Sequence, residues 1–437
     1  MQSIKLTPRW KRWCAVLLLS CALGYVLLHV SAEVRGARLT YVEGDPERLK
    51  AALAVYPVQA DVHRRLGAVY LSDPWRFDPA QAVSHYEMAV RLEPFTWSAW
   101  LNLGYGYEQQ GDAERAERAY LTGVELAPRY FYPRWLYGNF LLRHGAIERS
   151  FDQLQYAADI RPWAVGSICS MIWQITGGQP DAVVQFSSRL KSGQARASVC
   201  QYLLTQQAYQ PAVAVWSAIE ETDPARMTAS RWLLSTLRGA GQWSLARQVW
   251  EEVVRKQVGG KADASSAEWA LWDGGFEHET SLGAFEWSLT STQDVSVVRD
   301  QSERFEGSRS LRLEFLRHQK VNFNGVSQDL WVKPSTQYRL QFYYRTEKLP
   351  EVNGLLIALS DAQEPTRFNM ESAPLGNPQQ WTNQHIQFTT PAGTQVLRLH
   401  ILRRPVQQLY DFIRGKVWFD AFRLEEVKYE NKDKGND

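Results

Sequence analysis

The chain has 437 residues, enough for two or three domains with buried cores. Hydrophobic residues make up 45% and the formal net charge is +2, an ordinary globular balance with no electrostatic footprint for nucleic acid. The 4 cysteines and 8 histidines include no CxxC pair and no zinc-ligand spacing.

Residues 1–35 read as a targeting segment. Lys5, Arg9, Lys11 and Arg12 form a basic cluster, and Trp13 to Val30 carries no charge. That run is just long enough to cross a bilayer as one N-terminal transmembrane helix. The basic cluster then keeps the start inside and exports everything after Glu33. The expectation is a single-pass protein of a bacterial inner membrane, with the bulk of the chain periplasmic. Val30-Ser31-Ala32 also fits a signal-peptidase site, and cleavage near Ala32 would give a secreted protein instead. Leu19-Ser20-Cys21 has the outline of a lipobox, but the apolar run continues past it to Leu28.

Helical periodicity starts at Asp45 and persists to residue 256. Asp45-Pro46-Glu47 with Leu49, Ala52 and Leu53 predicts a leading helix. In Trp97 to Pro128, Trp100, Leu103 and Tyr107 form one apolar stripe. Gly111-Asp112 breaks the helix, Ala116, Tyr120 and Gly123 form a second stripe, and Pro128 stops it. Pro94, Pro128 and Pro162 keep a period of 34, as do Gly104 with Gly138 and Gly111 with Gly145. Leu66-Gly67, Tyr70, Ala82, Tyr86 and Ala89 give the same order one unit earlier; Arg134 and Ser150 depart from it. These units resemble the tetratricopeptide repeat, which implies stacked helix pairs and a curved groove for a protein partner. Projecting the repeat phase puts Arg64, Tyr105, Glu108, Tyr132, Trp135, Asn139 and Arg143 on the groove wall. Aromatic and arginine side chains there suit a protein partner; packing against the rest of the chain is the bland alternative. Further pairs, more degenerate, follow Pro162 to Lys256. Cys169 and Cys200 lie about one repeat apart, so a disulfide and two buried thiols are both open.

Residues 257–267 are a small, polar linker, and beyond it the period changes to 2. Ser310 to Phe315, Tyr338 to Tyr344, Gln384 to Phe388, Val396 to Ile401 and Val417 to Phe419 alternate as strands. An all-β jelly-roll sandwich over 268–428 is expected, with a polar tail at 429–437. Trp272-Asp273-Gly274-Gly275-Phe276-Glu277 opens this domain and Gly415-Lys416-Val417-Trp418-Phe419-Asp420 closes it. Between them stand Gly307 to Leu311 and Val326-Ser327-Gln328 with Val332-Lys333-Pro334 and Tyr338. In this order the motifs resemble the carbohydrate-binding modules of xylanases and glucanases. The resemblance implies a structural Ca²⁺ held by Glu277 and Asp420; arginine-paired surface carboxylates are the alternative. It also implies a glycan face. Strand alternation turns Gln341, Tyr343 and Arg345 outward, and likewise Arg398 and His400 on a later strand. Gln341, Tyr343, Arg345 and Arg398 are the candidate glycan residues, with arginines that favour an acidic sugar.

No catalytic motif is present: no GxSxG, HExxH or P-loop. The sequence thus points to a non-enzymatic, multidomain envelope protein: an all-α repeat scaffold for a protein partner followed by an all-β glycan-binding domain, in polysaccharide assembly or export. The alternative is an adaptor making protein contacts alone.

Overall fold

The computed structural model describes residues 9–39, 45–257, 270–279, 282–406 and 412–427. The expected linker beyond residue 257 and the polar tail lie outside them. The chain divides into two compact units, Met1–Ala195 and Arg196–Asp437.

The first unit is helical. It opens with α1 (Arg9–Leu39) and α2 (Pro46–Val55), followed by the pairs α3 (Ala60–Ser72) and α4 (Pro79–Leu92), α5 (Trp97–Gln110) and α6 (Ala113–Leu126), and α7 (Phe131–Arg143) and α8 (Ile147–Ile160). It ends with α9 (Val165–Ile175) and α10 (Pro180–Arg189). Helix α1 leaves Leu17, Leu18, Leu19, Leu27 and Leu28 exposed. Among the described residues no helix is long and apolar enough to cross a membrane. The transmembrane expectation therefore has no counterpart in the fold.

Each pair is punctuated as its sequence dictates. Asp78 accepts the Ala80 and Gln81 N–H groups at the start of α4, with Pro79 at the first helical position. Gly111, at φ 83°, ends α5, and Asp112 caps α6 through the Arg115 N–H. The repeat glycines let paired helices touch. A Cβ on Gly67 would stand 2.5 Å from the Tyr86 ring, one on Gly104 3.0 Å from Tyr120, and one on Gly138 2.7 Å from Leu154. Ser150, off-pattern in sequence, is fully buried where the other pairs bury Ala82 and Ala116.

The second unit begins in α11 (Gly193–Thr205), which crosses the division, and continues through α12 (Tyr209–Ser217), α13 (Pro224–Gly239) and α14 (Trp243–Gln257). Ten strands follow: β1 (Ser288–Leu289), β2 (Val295–Asp300), β3 (Ser310–Gln319), β4 (Phe323–Trp331), β5 (Gln337–Glu347), β6 (Leu355–Asp361), β7 (Asn369–Glu371), β8 (Thr382–Thr389), β9 (Val396–Arg403) and β10 (Ile413–Glu426). They form two five-stranded sheets, β1-β4-β9-β6-β7 and β2-β3-β10-β5-β8. Consecutive long strands from β3 to β6 alternate between the sheets, the jelly-roll arrangement. Inward residues such as Leu313, Leu340, Phe342, Leu399, Ile401, Val417 and Phe419 form one apolar core.

The division differs from the sequence reading, which closed the helical domain at 256. The reason is packing. Trp250 of α14 meets Trp272 and Phe285 with ring centroids 5.6 Å apart in each case. The buried Arg247 lies 5.5 Å from the Phe285 ring centroid and 5.9 Å from that of Trp331 on β4. Arg238 of α13 donates to the Gly283 carbonyl at 2.6 Å and pairs with Asp329. The last helix pair thus covers part of the outer face of the β4–β9 sheet.

Cys169 and Cys200 are free and buried, so the disulfide alternative does not hold. Burial pushes both thiols up to about 12.

Candidate functional site

The expected groove residues lie on α3, α5 and α7, and several are already engaged. Arg64 pairs with Asp61 at 2.9 Å and reaches Ser98 at 3.4 Å. Glu108 accepts two guanidinium nitrogens of Arg143 at 2.8–3.0 Å and the Tyr120 hydroxyl at 3.0 Å. The Glu108–Arg143 pair therefore ties α5 to α7. Trp135 stacks on Phe131 at 5.6 Å, and Asn139 is buried with its side-chain oxygen unpaired. Tyr105 and Tyr132 are exposed. The open part of this surface is aromatic, while its charges mostly serve the stack.

Glu277 and Asp420 both border Gly275. A Cβ on Gly275 would lie 3.8 Å from an oxygen of each. Asp420 is buried; its Oδ2 accepts the Phe305 and Glu306 N–H groups at 2.8 and 3.2 Å, and its Oδ1 accepts the Ala421 N–H at 2.7 Å. Glu277 Oε1 accepts the Ser308 and Arg309 N–H groups at 2.7 and 3.1 Å, and its Oε2 accepts the Ser308 hydroxyl. Three of these four oxygens thus hold one loop, residues 305–309, and the fourth accepts the adjacent Ala421 N–H. Calcium needs six to eight oxygen ligands. This arrangement offers it N–H-bonded carboxylates, and among the described residues no group of three or more His, Cys, Asp or Glu could hold a metal. Burial raises the Asp420 carboxyl to about 6, against the pull of its N–H donors. Hydrogen bonds from Ser308 and Arg309 outweigh burial at Glu277 and lower its pKa.

The four glycan candidates do not form one site. Gln341, Tyr343 and Arg345 lie on β5, in the β2-β3-β10-β5-β8 sheet, whereas Arg398 lies on β9 in the other. Alternation shows which residues leave the core but not which sheet a strand joins, so outward residues of opposite sheets look alike in sequence. Tyr343 is covered by Phe305, stacked at 3.7 Å. Arg345 pairs with Glu303 at 2.7 Å and lies 5.2 Å from the Trp418 ring centroid. Among the tryptophans of the β domain, Trp287 packs in the core against Phe276, Trp331 lies under Arg247, and Trp381 flanks Phe305.

Arg398 leads to a different site. Its Nε donates to Asp329 Oδ1 at 2.7 Å, and the other oxygen of Asp329 takes Arg238 from α13. Between α13 and the β4–β9 sheet lies a cleft of about 220 Å³ whose lining includes Arg238, Ser288, Ser327, Asp329, Arg398 and His400. Register places Ser327 opposite His400, and Asp329 opposite Arg398. His400 Nδ1 and Arg238 Nε are buried without a hydrogen-bond partner. Burial, then the neighbouring Arg398, lowers the His400 pKa, so its ring is neutral at pH 7. Glu286, also in the lining, accepts the Leu282 and Gly283 N–H groups at 3.0 and 3.3 Å. The cleft offers guanidinium, carboxylate, hydroxyl and imidazole groups. Arg238, Asp329 and Ser288 escaped sequence reasoning. The signal was present in Asp329, a carboxylate on an outward strand position that is nonetheless buried.

Fold and site define a class: a helical-repeat chain whose last helices roof a two-sheet β domain. A family model described as Tetratricopeptide repeat matches residues 78–131, and the N-terminal half carries these repeats. The tRNA nuclease WapA of Bacillus subtilis (strain 168) is 28% identical over 179 residues, which cover 39% of this chain and 7% of that protein. The tRNA3(Ser)-specific nuclease WapA of Bacillus spizizenii shows the same identity and shares. The chain therefore spans about 7% of the length of the curated relatives it matches. Among solved structures, the CBM22-1 xylan-binding domain of Paenibacillus barcinonensis Xyn10C is similar at 18% identity and a TM-score of 0.27, over 36% of this chain and 95% of that one. MamA protein is similar at 16% identity and a TM-score of 0.29, over 38% and 84%. The fold itself rests on strand order and register.

Proposed function

We propose that the chain is a non-catalytic scaffold of the bacterial cell envelope, acting in polysaccharide assembly or export. Its repeats hold a protein partner on the surface bearing Tyr105, Tyr132 and Trp135, and its β domain binds glycan in the cleft beneath α13. The observation that supports glycan binding is the cleft itself: polar, preformed, and containing buried nitrogens of His400 and Arg238 without partners. The uncharged run from Trp13 to Val30 supports export. Cell fractionation tests that part, and recovery in the cytoplasm overturns it. Titration of the full chain with a panel of neutral and uronic sugars tests the glycan reading. Binding weakened at least tenfold by Arg398→Ala supports it; no binding across the panel removes it. The relatives' name prompts a control: tRNA incubated with the chain stays intact if the protein is not an enzyme.

A second reading, an adaptor with no sugar ligand, is favoured by one observation: α13 and α14 already cover part of the sheet face. Proximity labelling separates the two, since polysaccharide synthases and exporters as neighbours fit the first and an unrelated complex the second.

A further inference from the structure

We infer that the cleft admits a single terminal sugar residue and excludes the interior of a polysaccharide chain. The inference rests on the glycan reading above and specifies which part of a glycan can enter. A chain bound along its length needs a trough open at both ends. Here β4 is closed off step by step. Asp329 is held by Arg238 of α13, and Trp331, two residues on along the same outer face, lies under Arg247 of α14. Beyond Arg247, Trp250 and Phe285 pack against each other at 5.6 Å. On the β1 side, Arg238 is anchored again through the Gly283 carbonyl. The cleft is therefore blind at the α14 end.

Its size agrees. About 220 Å³ falls below the range of roughly 300–1,000 Å³ usual for drug-sized ligands. Its chemistry agrees too. Among the described lining residues there is no Phe, Tyr or Trp, so no broad flat platform exists for stacking successive sugars. Recognition falls to Ser288, Ser327, Arg398 and His400, which hydrogen-bond hydroxyls one residue at a time. A site of fixed, buried polar groups discriminates sharply, because a ligand lacking the matching hydroxyl leaves those groups unpaired.

The test measures affinity of the full chain for monosaccharides and for the matching hexasaccharides, in neutral and uronic series, by calorimetry. Affinity per chain end that stays within about twofold from monomer to hexamer is expected. Affinity that rises tenfold or more with length overturns the inference and leaves glycan binding standing. No binding by any probe overturns the glycan reading itself. Arg238→Ser provides a second arm. It removes the anchor at Asp329 and Gly283, and is expected to raise hexasaccharide affinity relative to monosaccharide. An unchanged ratio in a folded variant counts against the roof as the limiting feature.

Discussion

Three residues of unlike chemistry hold the same place in successive repeats. A ring nitrogen of His63 bonds the Pro57 carbonyl at 3.2 Å, Trp100 Nε1 donates to that of Pro94 at 2.7 Å, and Arg134 Nε to that of Pro128 at 3.2 Å. Arg134 departs from the sequence pattern yet makes the bond that its position requires, because what the loop needs is an N–H, not an indole. A similar economy governs Glu277 and Asp420: three of their four oxygens hold loop 305–309, and the fourth accepts the Ala421 N–H. Calcium or EGTA should therefore leave the thermal unfolding midpoint unchanged; a calcium-dependent rise contradicts the donor assignment. Asp420 also sets a pH dependence. Its folded value of about 6 exceeds the ordinary 3.8, so the fold favours its protonated form. That contribution is complete below about 3.8 and is lost as pH rises through about 6. Urea titrations should show wild type losing stability relative to Asp420→Asn between those two values, and a constant difference would count against it.

At the scale of elements, the helix pairs were legible because their constraints are local. A glycine at one position and a large side chain on the next helix recur with the chain's own period. Gly67 faces Tyr86 so closely that an added methyl must displace a buried ring. Gly67→Ala should cost about 1–3 kcal/mol despite alanine's better helix propensity, measured by chemical denaturation. A stabilised variant would show that the helices are not in contact there. Strands were legible by alternation, and Leu399 and Ile401 turn inward as expected. Sheet membership was not legible. Whether β9 joins β5 or β4 depends on connections that span the whole sandwich, and sequence alone therefore groups Arg398 with residues of the opposite sheet.

At the scale of the molecule, the hidden feature is the docking of α13 and α14 on the β domain. Arg238 and Asp329 are 91 residues apart in sequence, and no periodicity links them. Trp250 is fully buried on α14, and its ring meets Trp272 and Phe285. Trp250→Ala should destabilise the β domain together with the helices, by about 3–5 kcal/mol. Hydrogen exchange on the full chain tests the docking most directly. The account predicts that the amides of α13 and α14 open together with those of β4 and β9, as one cooperative unit. If α13 and α14 instead exchange in step with α3 to α8 while β4 and β9 stay protected, the roof and its cleft are contradicted.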